Sequence, residues 1–391
     1  MHASTREPFT LNSVHEGPLG KLGPATRWCL LAGLATGQES PPSSEAIGNE
    51  LDQILVEGLA PIAVRGLADH PTHRVTPEFR ILQGAALLAQ MQSMNVEASG
   101  LMFQSQLEDV GIRTAVIKGP AIGRFHPDGW PRPFADIDFV VSKRQFPQAI
   151  SQALSHGFVY SERSVPQWRW FDDICREGIN LHSPAGGNID IHHHVPPWAV
   201  GSHLSTTHII QRSQRIDTAG RQARFAAPED LLIISTLHIL NDLWKGKLGV
   251  ASWRDVIVLM KLLGPSRSQE AFSAVRLAWL YDLIEGQLAL HLPEVGISPS
   301  SPAAELPASA RLRLGSAGWS GNSTAARHRL AWAARLPTLN AIAFLAGTAV
   351  PSPSYIRARH HTYRNYWKRS FVETVSTAKG SDFRMTTIDD V

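Results

Sequence analysis

Two short apolar runs in the middle of the chain carry acids at alternate positions, a pattern that a helix scatters around its circumference and a strand collects on one face. In Asp136-Ile137-Asp138-Phe139-Val140-Val141 the acids are two apart. Read as a strand, Asp136 and Asp138 project together from one side of a sheet while Ile137 and Phe139 enter the core. Asn188-Ile189-Asp190-Ile191-His192 repeats the arrangement with a third carboxylate. Carboxylates on one face repel and need a counter-cation, and oxygen-only ligands favour Mg²⁺ or Mn²⁺. Three acids on adjacent strands can hold two such ions roughly 3.5–4 Å apart, where they clamp the attacking and leaving oxygens of a phosphoryl displacement.

These runs lie in a stretch of alternating strand and helix patterns. Thr114–Ile117 and Ile137–Val141 read as strands, and Ser142 caps a helix reaching about Ser155 and closed by Gly157. Gly178–His182 and Asn188–Val195 read as antiparallel strands joined by residues 183–187. Helical patterns flank this stretch on both sides. Before it, Trp28–Gly37 reads as a buried helix, an apolar-periodic run extends from Ser43 to Leu67, and Thr76-Pro77 opens another that reaches Val110. After it, Pro228–Trp244, Ser252–Leu263 and Ser268–Leu292 read as helices, followed by a Pro/Ser/Gly-rich linker to Ser323 and helices over 324–350 and 354–377.

Composition supports a folded, multi-unit protein. At about 150 residues per domain, 391 residues allow two or three units. Hydrophobic residues make up 43% and charged residues 18%, which excludes a disordered chain. A formal charge of +3 leaves no broad basic field, so a polymerase groove is disfavoured. Two cysteines, Cys29 and Cys175, cannot supply a disulfide framework or a thiolate zinc site, and they fit a cytoplasmic location. Leu336–Ile356 carries no charge, but Pro337, Asn340, Pro351 and Pro353 interrupt it, so we read a core helix there and expect no transmembrane segment.

Lys118-Gly119 forms a turn between strand and helix, a place where backbone N–H groups and a helix N-terminus can cradle phosphate. Pro120 removes one donor from that turn. Arg132, four residues before Asp136, offers a forked cation suited to a triphosphate.

Taken together, Val116-Ile117-Lys118-Gly119, Arg132, Asp136-Ile137-Asp138-Phe139-Val140-Val141, His156-Gly157-Phe158 and Ile189-Asp190-Ile191-His192 resemble the uncharacterised bacterial nucleotidyltransferase-like family of the DNA polymerase beta-type superfamily. Pro228-Glu229-Asp230 through His238 and Trp253-Arg254-Asp255 are similar to its helical part, so the resemblance spans roughly Ala86–Leu263. Lys118-Gly119 stands where superfamily relatives usually carry Gly-Ser. The resemblance implies an α+β fold: a nucleotidyltransferase-like mixed β-sheet flanked by helices, with a helical N-terminal region (1–85), a catalytic domain (86–226) and an all-α C-terminal domain (227–391). It implies Mg²⁺- or Mn²⁺-dependent transfer of a nucleoside monophosphate from an NTP, such as ATP, to a hydroxyl of a small molecule or protein. Asp136 and Asp138 would hold the metals on the triphosphate, and Asp190 would bind the second metal and orient or deprotonate the acceptor. Lys118, Gly119, Arg132 and His192 would contact the nucleotide or its site.

Other readings compete. A silent nucleotide-binding or scaffold protein could keep the same fold. On a strand, His192 and His194 share the face of Asp190, which suits a zinc-dependent hydrolase. His238 and Asp255 sit in helices and could line the cleft, and Trp168 and Trp170 alternate as on a strand where a base could stack. Finally, residues 357–369 combine Arg357, Arg359, Arg364, Lys368 and Arg369 with Tyr363, Tyr366 and Trp367 and no acid. Such a helix suits an acidic partner, nucleic acid or a membrane surface.

Overall fold

The computed structural model describes residues 18–34, 40–161, 164–196, 203–218, 220–244, 248–298 and 338–368. Helices α1 (Pro24–Leu31), α2 (Ser44–Asn49), α3 (Leu51–Val56), α4 (Ala60–Leu67) and α5 (Pro77–Asp109) lead into the sheet. The run expected from Ser43 to Leu67 starts as predicted, with Ser43 Oγ accepting from the Ala46 N–H, but breaks into three pieces. Gly58 adopts φ +69°, and Pro61 removes a backbone donor in the first turn of α4. The bounds of α5 match the expectation. Thr76 Oγ1 accepts from the Phe79 N–H, Pro77 occupies the first turn, and Gly111 turns the chain away at φ +79°.

A seven-stranded mixed sheet follows, of β1 (Thr114–Val116), β2 (Asp136–Val141), β3 (Val159–Tyr160), β4 (Gly178–His182), β5 (Asn188–His192), β6 (Gln214–Thr218) and β7 (Arg221–Phe225), in the order β3-β4-β5-β2-β1-β7-β6. The pairs β2/β5 and β1/β7 are parallel and the others antiparallel. Helices α6 (Phe146–Ser155), α7 (Arg169–Cys175) and α8 (Thr206–Arg212) fill the connections. The β6–β7 hairpin was not expected from sequence. Its exposed positions are Gln214, Arg215, Asp217, Arg221 and Gln222, and only Ala223 and Phe225 are buried, so a full apolar alternation is missing. Trp168 and Trp170 also correct the reading: Trp168 caps α7 and Trp170 lies within it, so they do not share a strand face.

Strand β2 is held from below by α5. A Cβ at Gly100 would stand 2.4 Å from Ile137 Cγ2, so the backbone of α5 packs directly against the strand that carries the acids. Phe103, one turn on, meets Phe139 edge-on and Phe158 at a tilt, with ring centroids 6.4 and 4.8 Å apart. One cluster of buried apolar residues extends from Leu19 to Val295 and takes in all three stretches of the chain.

After the sheet come α9 (Pro228–Trp244), α10 (Val250–Ala274) and α11 (Ala278–His291). Helix α10 kinks at Gly264-Pro265, as the expected boundary near Leu263 implied. The helix expected over Ser268–Leu292 is interrupted at Val275–Leu277, where Arg276 adopts φ +60°. Arg254 of α10 is buried and donates from Nη1 to Leu30 O at 2.8 Å, fixing the amino-terminal helix to the helical part.

Helix α12 (Thr338–Ala349) packs beside α7, and α13 (Pro353–Arg359) follows it, with Ser352 Oγ donating to Pro166 O before α7. The expected core helix is instead a 12-residue surface helix: Gly347 meets Phe171 and Phe344 stacks on it, while Leu339 and Ile342 are exposed. Among the described residues no helix is long and apolar enough to cross a membrane. The basic strip forms α13, a break at 360–362 and a helical turn over 363–368. Its Tyr366 is buried with the hydroxyl donating to Thr348 O, and Arg357, Arg364 and Lys368 are exposed. Most of the linker, residues 324–337 and residues 369–377 lie outside the described residues.

Candidate active site

The parallel pairing of β2 with β5 sets Asp138 directly opposite Asp190, with Asp136 opposite Asn188. Because alternate residues of both strands enter the core, the carboxylates are left on one face at the end of β2 where the chain enters the sheet. Asp138 is buried, with its side chain 5% exposed, Asp190 is half-buried and Asp136 stands at the solvent end. Asp138 Oδ1 accepts from Lys118 Nζ and from His192 Nε2, each at 3.1 Å. His192 Nε2 also lies 3.3 Å from Asp190 Oδ2, so one imidazole bridges the two opposed acids. Lys118 reaches the site because β1 runs antiparallel beside β2 and ends next to it.

The charges at the site are coupled. Burial disfavours the His192 imidazolium, but Asp190 and the hydrogen bond to Asp138 more than offset this and push its value up to about 10. Burial likewise opposes the Lys118 ammonium, and Asp138 and then Asp136 outweigh it and raise its value. Burial alone would raise Asp138, yet Lys118 and His192 hold its carboxyl well below the usual range. Asp136 is pushed up to about 6, first by repulsion from Asp138 and then by burial. Three carboxylates thus face two cations, and the uncompensated charge appears on Asp136. Lys118 and His192 both use Oδ1 of Asp138, so its Oδ2 makes no hydrogen bond among the described residues. An excess of negative charge and an open carboxylate oxygen fit a hard divalent cation.

Among the described residues, one ligand atom from each of Asp138, Asp190 and His192 falls within 4.8 Å of the others. That set has His192 where the expected carboxylate set has Asp136, and it also differs from the zinc set read from sequence. Strand β5 ends at His192, and the N–H groups of His193 and His194 both donate to Glu177 O at 3.1 Å, which breaks the alternation. The His193 ring then packs between Phe146 and His194, with centroids 4.3 and 4.4 Å away. Burial pushes His193 down to about 3 and His194 down to about 4, so both are neutral packing groups.

The Lys118-Gly119 turn also differs from the expected phosphate cradle. Gly119 adopts φ +55° and ψ −116°, a conformation that favours glycine, and the helix after it is a single turn, Pro120–Gly123. The N–H groups of Ala121, Ile122 and Gly123 bond to Lys118 O or Gly119 O, and Pro120 has none. The three N–H groups after Pro120 are thus engaged within the turn itself.

Arg132 is bound by Asp255 of α10. Its Nε lies 2.9 and 3.0 Å from the two carboxylate oxygens, and Nη2 lies 2.6 Å from Oδ2. His126 Nε2 contacts Asp255 Oδ1 at 3.0 Å. Asp255 is not an exposed helix charge but a buried acid, held down to about 2 by Arg132 and His126 against the effect of burial. His126 carries no sequence signal, because a single histidine in a loop matches no spacing rule. His238 lies on α9, 3.4 Å from Asp242 one turn on, and is not part of the carboxylate cluster.

A family profile described as an uncharacterised nucleotidyltransferase matches residues 45–283. No curated protein matches the chain. Among solved structures, an antigenic nucleotidyltransferase-like protein from Paracoccidioides brasiliensis is 15% identical over 53% of this chain and 94% of its own, with a TM-score of 0.33.

Proposed function

Because the chain belongs to the uncharacterised nucleotidyltransferase family, we propose that it transfers a nucleoside monophosphate from an NTP to a hydroxyl of a small molecule or protein, using Mg²⁺ or Mn²⁺. The observation that carries this reading is the opposition of Asp138 and Asp190 on parallel strands, with Lys118 and His192 as an incomplete set of counter-charges. Asp136, Asp138 and Asp190 would hold the metal, whose chemistry is to offset charge on the triphosphate and on the attacking oxygen.

The protein groups have separable tasks. Asp190 accepts the proton of the acceptor hydroxyl as that oxygen bonds to the α-phosphorus and the bond to pyrophosphate breaks. Lys118 and Arg132 bind the triphosphate and offset charge building on the leaving group. His192, held between Asp138 and Asp190, fixes both carboxylates relative to one another. Little covalent chemistry is asked of the chain, so positioning and charge lower most of the barrier.

Pyrophosphate release with ATP, GTP, CTP or UTP and Mg²⁺, screened over candidate acceptors, tests the proposal. Loss of release in Asp138→Asn with the fold intact supports it, and wild-type turnover by that variant refutes it. One observation favours a silent nucleotide-binding module: Asp138 already has two cationic partners. Calorimetric NTP binding without release on any acceptor would select that reading.

A further inference from the structure

The cluster of Arg132, Asp255 and His126 lies beside the carboxylates but contains none of them. Arg132 comes from the loop before β2, His126 from the segment after the Pro120–Gly123 turn, and Asp255 from α10, 123 residues beyond Arg132 in sequence. All three are withdrawn from solvent, with side chains 15%, 1% and 3% exposed. An ordinary surface pair would not be built this way, because burying an acid is costly unless its charge is matched and its oxygens are hydrogen-bonded. Here both Asp255 oxygens are used, one by His126 and both by the Arg132 fork.

The geometry fixes which part of the guanidinium is spent. Asp255 takes the Nε and Nη2 edge, and Nη1 has no partner among the described residues. Two rigid bonds to one carboxylate define the plane of the guanidinium, so the direction of Nη1 is set by α10 and not by the Arg132 side chain's own rotamers. Arg132 sits four residues before Asp136 and packs on the same short turn as that strand: a Cβ at Gly123 would stand 3.9 Å from Arg132 Cβ and one at Gly119 3.4 Å from Asp136 O, so the guanidinium belongs to the wall beside the carboxylates. His126 Nε2 meets Asp255 Oδ1 at 3.0 Å and gives the same carboxylate a second donor from a different segment.

We propose that Asp255 and His126 are positioning residues that orient Arg132 so that its Nη1 edge meets the triphosphate of the nucleotide bound at the carboxylates. This rests on the nucleotidyltransferase reading and deepens it, by assigning NTP affinity to a contact between the helical part and the loop before β2. Asp255 touches no reacting atom. Its effect passes through Arg132, so the two must act as one unit.

The test measures the Kd of Mg²⁺-NTP by calorimetry, together with kcat and KM where an acceptor is found, for Arg132→Gln, Asp255→Asn and the double variant of the full chain. We expect each single change to weaken NTP binding by about tenfold or more, the size of one charge-assisted contact, and the double variant to be no worse than Arg132→Gln. NTP affinity within twofold of wild type in folded Asp255→Asn overturns the proposal, and so do losses that multiply in the double variant. If Asp255→Asn does not fold, Arg132→Lys and His126→Gln carry the test. Arg132→Lys keeps the charge but not the fork and should still lose affinity, and His126→Gln should raise KM for NTP more than it lowers kcat. Wild-type affinity in both overturns the proposal. Wild-type protein that binds none of the four NTPs with Mg²⁺ refutes the nucleotidyltransferase reading itself, which separates that failure from failure of the positioning role.

Discussion

Replacing Asp138 with asparagine removes one charge while preserving shape, and the structure sets the size of the effect. Lys118 Nζ and His192 Nε2 converge on a carboxylate oxygen whose side chain is 5% exposed. Removing the acid from such a buried pair costs about 3–5 kcal/mol. Part is recovered, because Asp138 is the largest cause of the raised Asp136 value and that repulsion disappears. Carboxylates two strand positions apart are roughly 6.5 Å from one another, worth about 2.5 kcal/mol at an effective dielectric near 20. The net destabilisation is about 0.5–2.5 kcal/mol, or a Tm lower by roughly 1–3 °C for a chain of this length. Mg²⁺ with NTP should separate the proteins further. At 100 times Kd a ligand adds about 2.7 kcal/mol to the wild type, and the variant should gain almost none. Thermal melting with and without Mg²⁺-NTP reads both effects. A variant that melts with the wild type and keeps its full ligand-induced shift would refute the assignment of Asp138 as the centre of the site.

Other outcomes follow from the same contacts. Asp255 has a depressed folded value, about 2 against an ordinary 3.8, so its contribution is complete above about pH 4 and is lost as pH falls through 2. The stability gap between wild type and Asp255→Asn should therefore narrow by about 2 kcal/mol between pH 5 and pH 2, as read from urea midpoints; a constant gap would show that Asp255 is not so paired. At Gly178 an added Cβ would stand 2.6 Å from His192 Nδ1 and 2.7 Å from Ile191 O, neither at the end of a flexible chain. Gly178→Ala should cost about 1–3 kcal/mol in chemical denaturation and displace His192, with activity falling alongside. Phe103→Ala removes a fully buried ring from between α5 and β2 and should cost about 3–5 kcal/mol by the same assay.

How much of this was legible in the sequence depends on the distance over which each feature is decided. Strand β2 and its two acids were readable because the alternation is local, and so were the cap at Thr76 and the stop at Gly111, whereas Ser142 accepts from the Gln145 N–H in the turn before α6, and Gln145 is the residue at that helix's N-terminus. Strand β5 was readable up to His192, but not beyond. The bend at His193 and His194 depends on Glu177 O in the segment before β4, sixteen or more residues away, and it undid the zinc set. The register that puts Asp138 opposite Asp190 is likewise a long-range result. Strands β6 and β7 escaped because their buried positions are few, and Trp168-Arg169-Trp170 alternates in letters while coiling in space. The clearest omission is the link from Arg132 to Asp255. An acid within an apolar helix reads locally as a solvated charge, and only tertiary packing brings a guanidinium and an imidazole to it.

That link also has a consequence in time. Residues 118–192 contain Asp136, Asp138 and Asp190 with Lys118 and His192, so the whole proposed metal site is encoded in the first half of the chain. The Arg132–Asp255 pair cannot close until α10 has left the ribosome. A chain that ends before α10 carries the acids and Arg132 without the carboxylate that holds the guanidinium, so truncation after the sheet removes the anchor and leaves the acids.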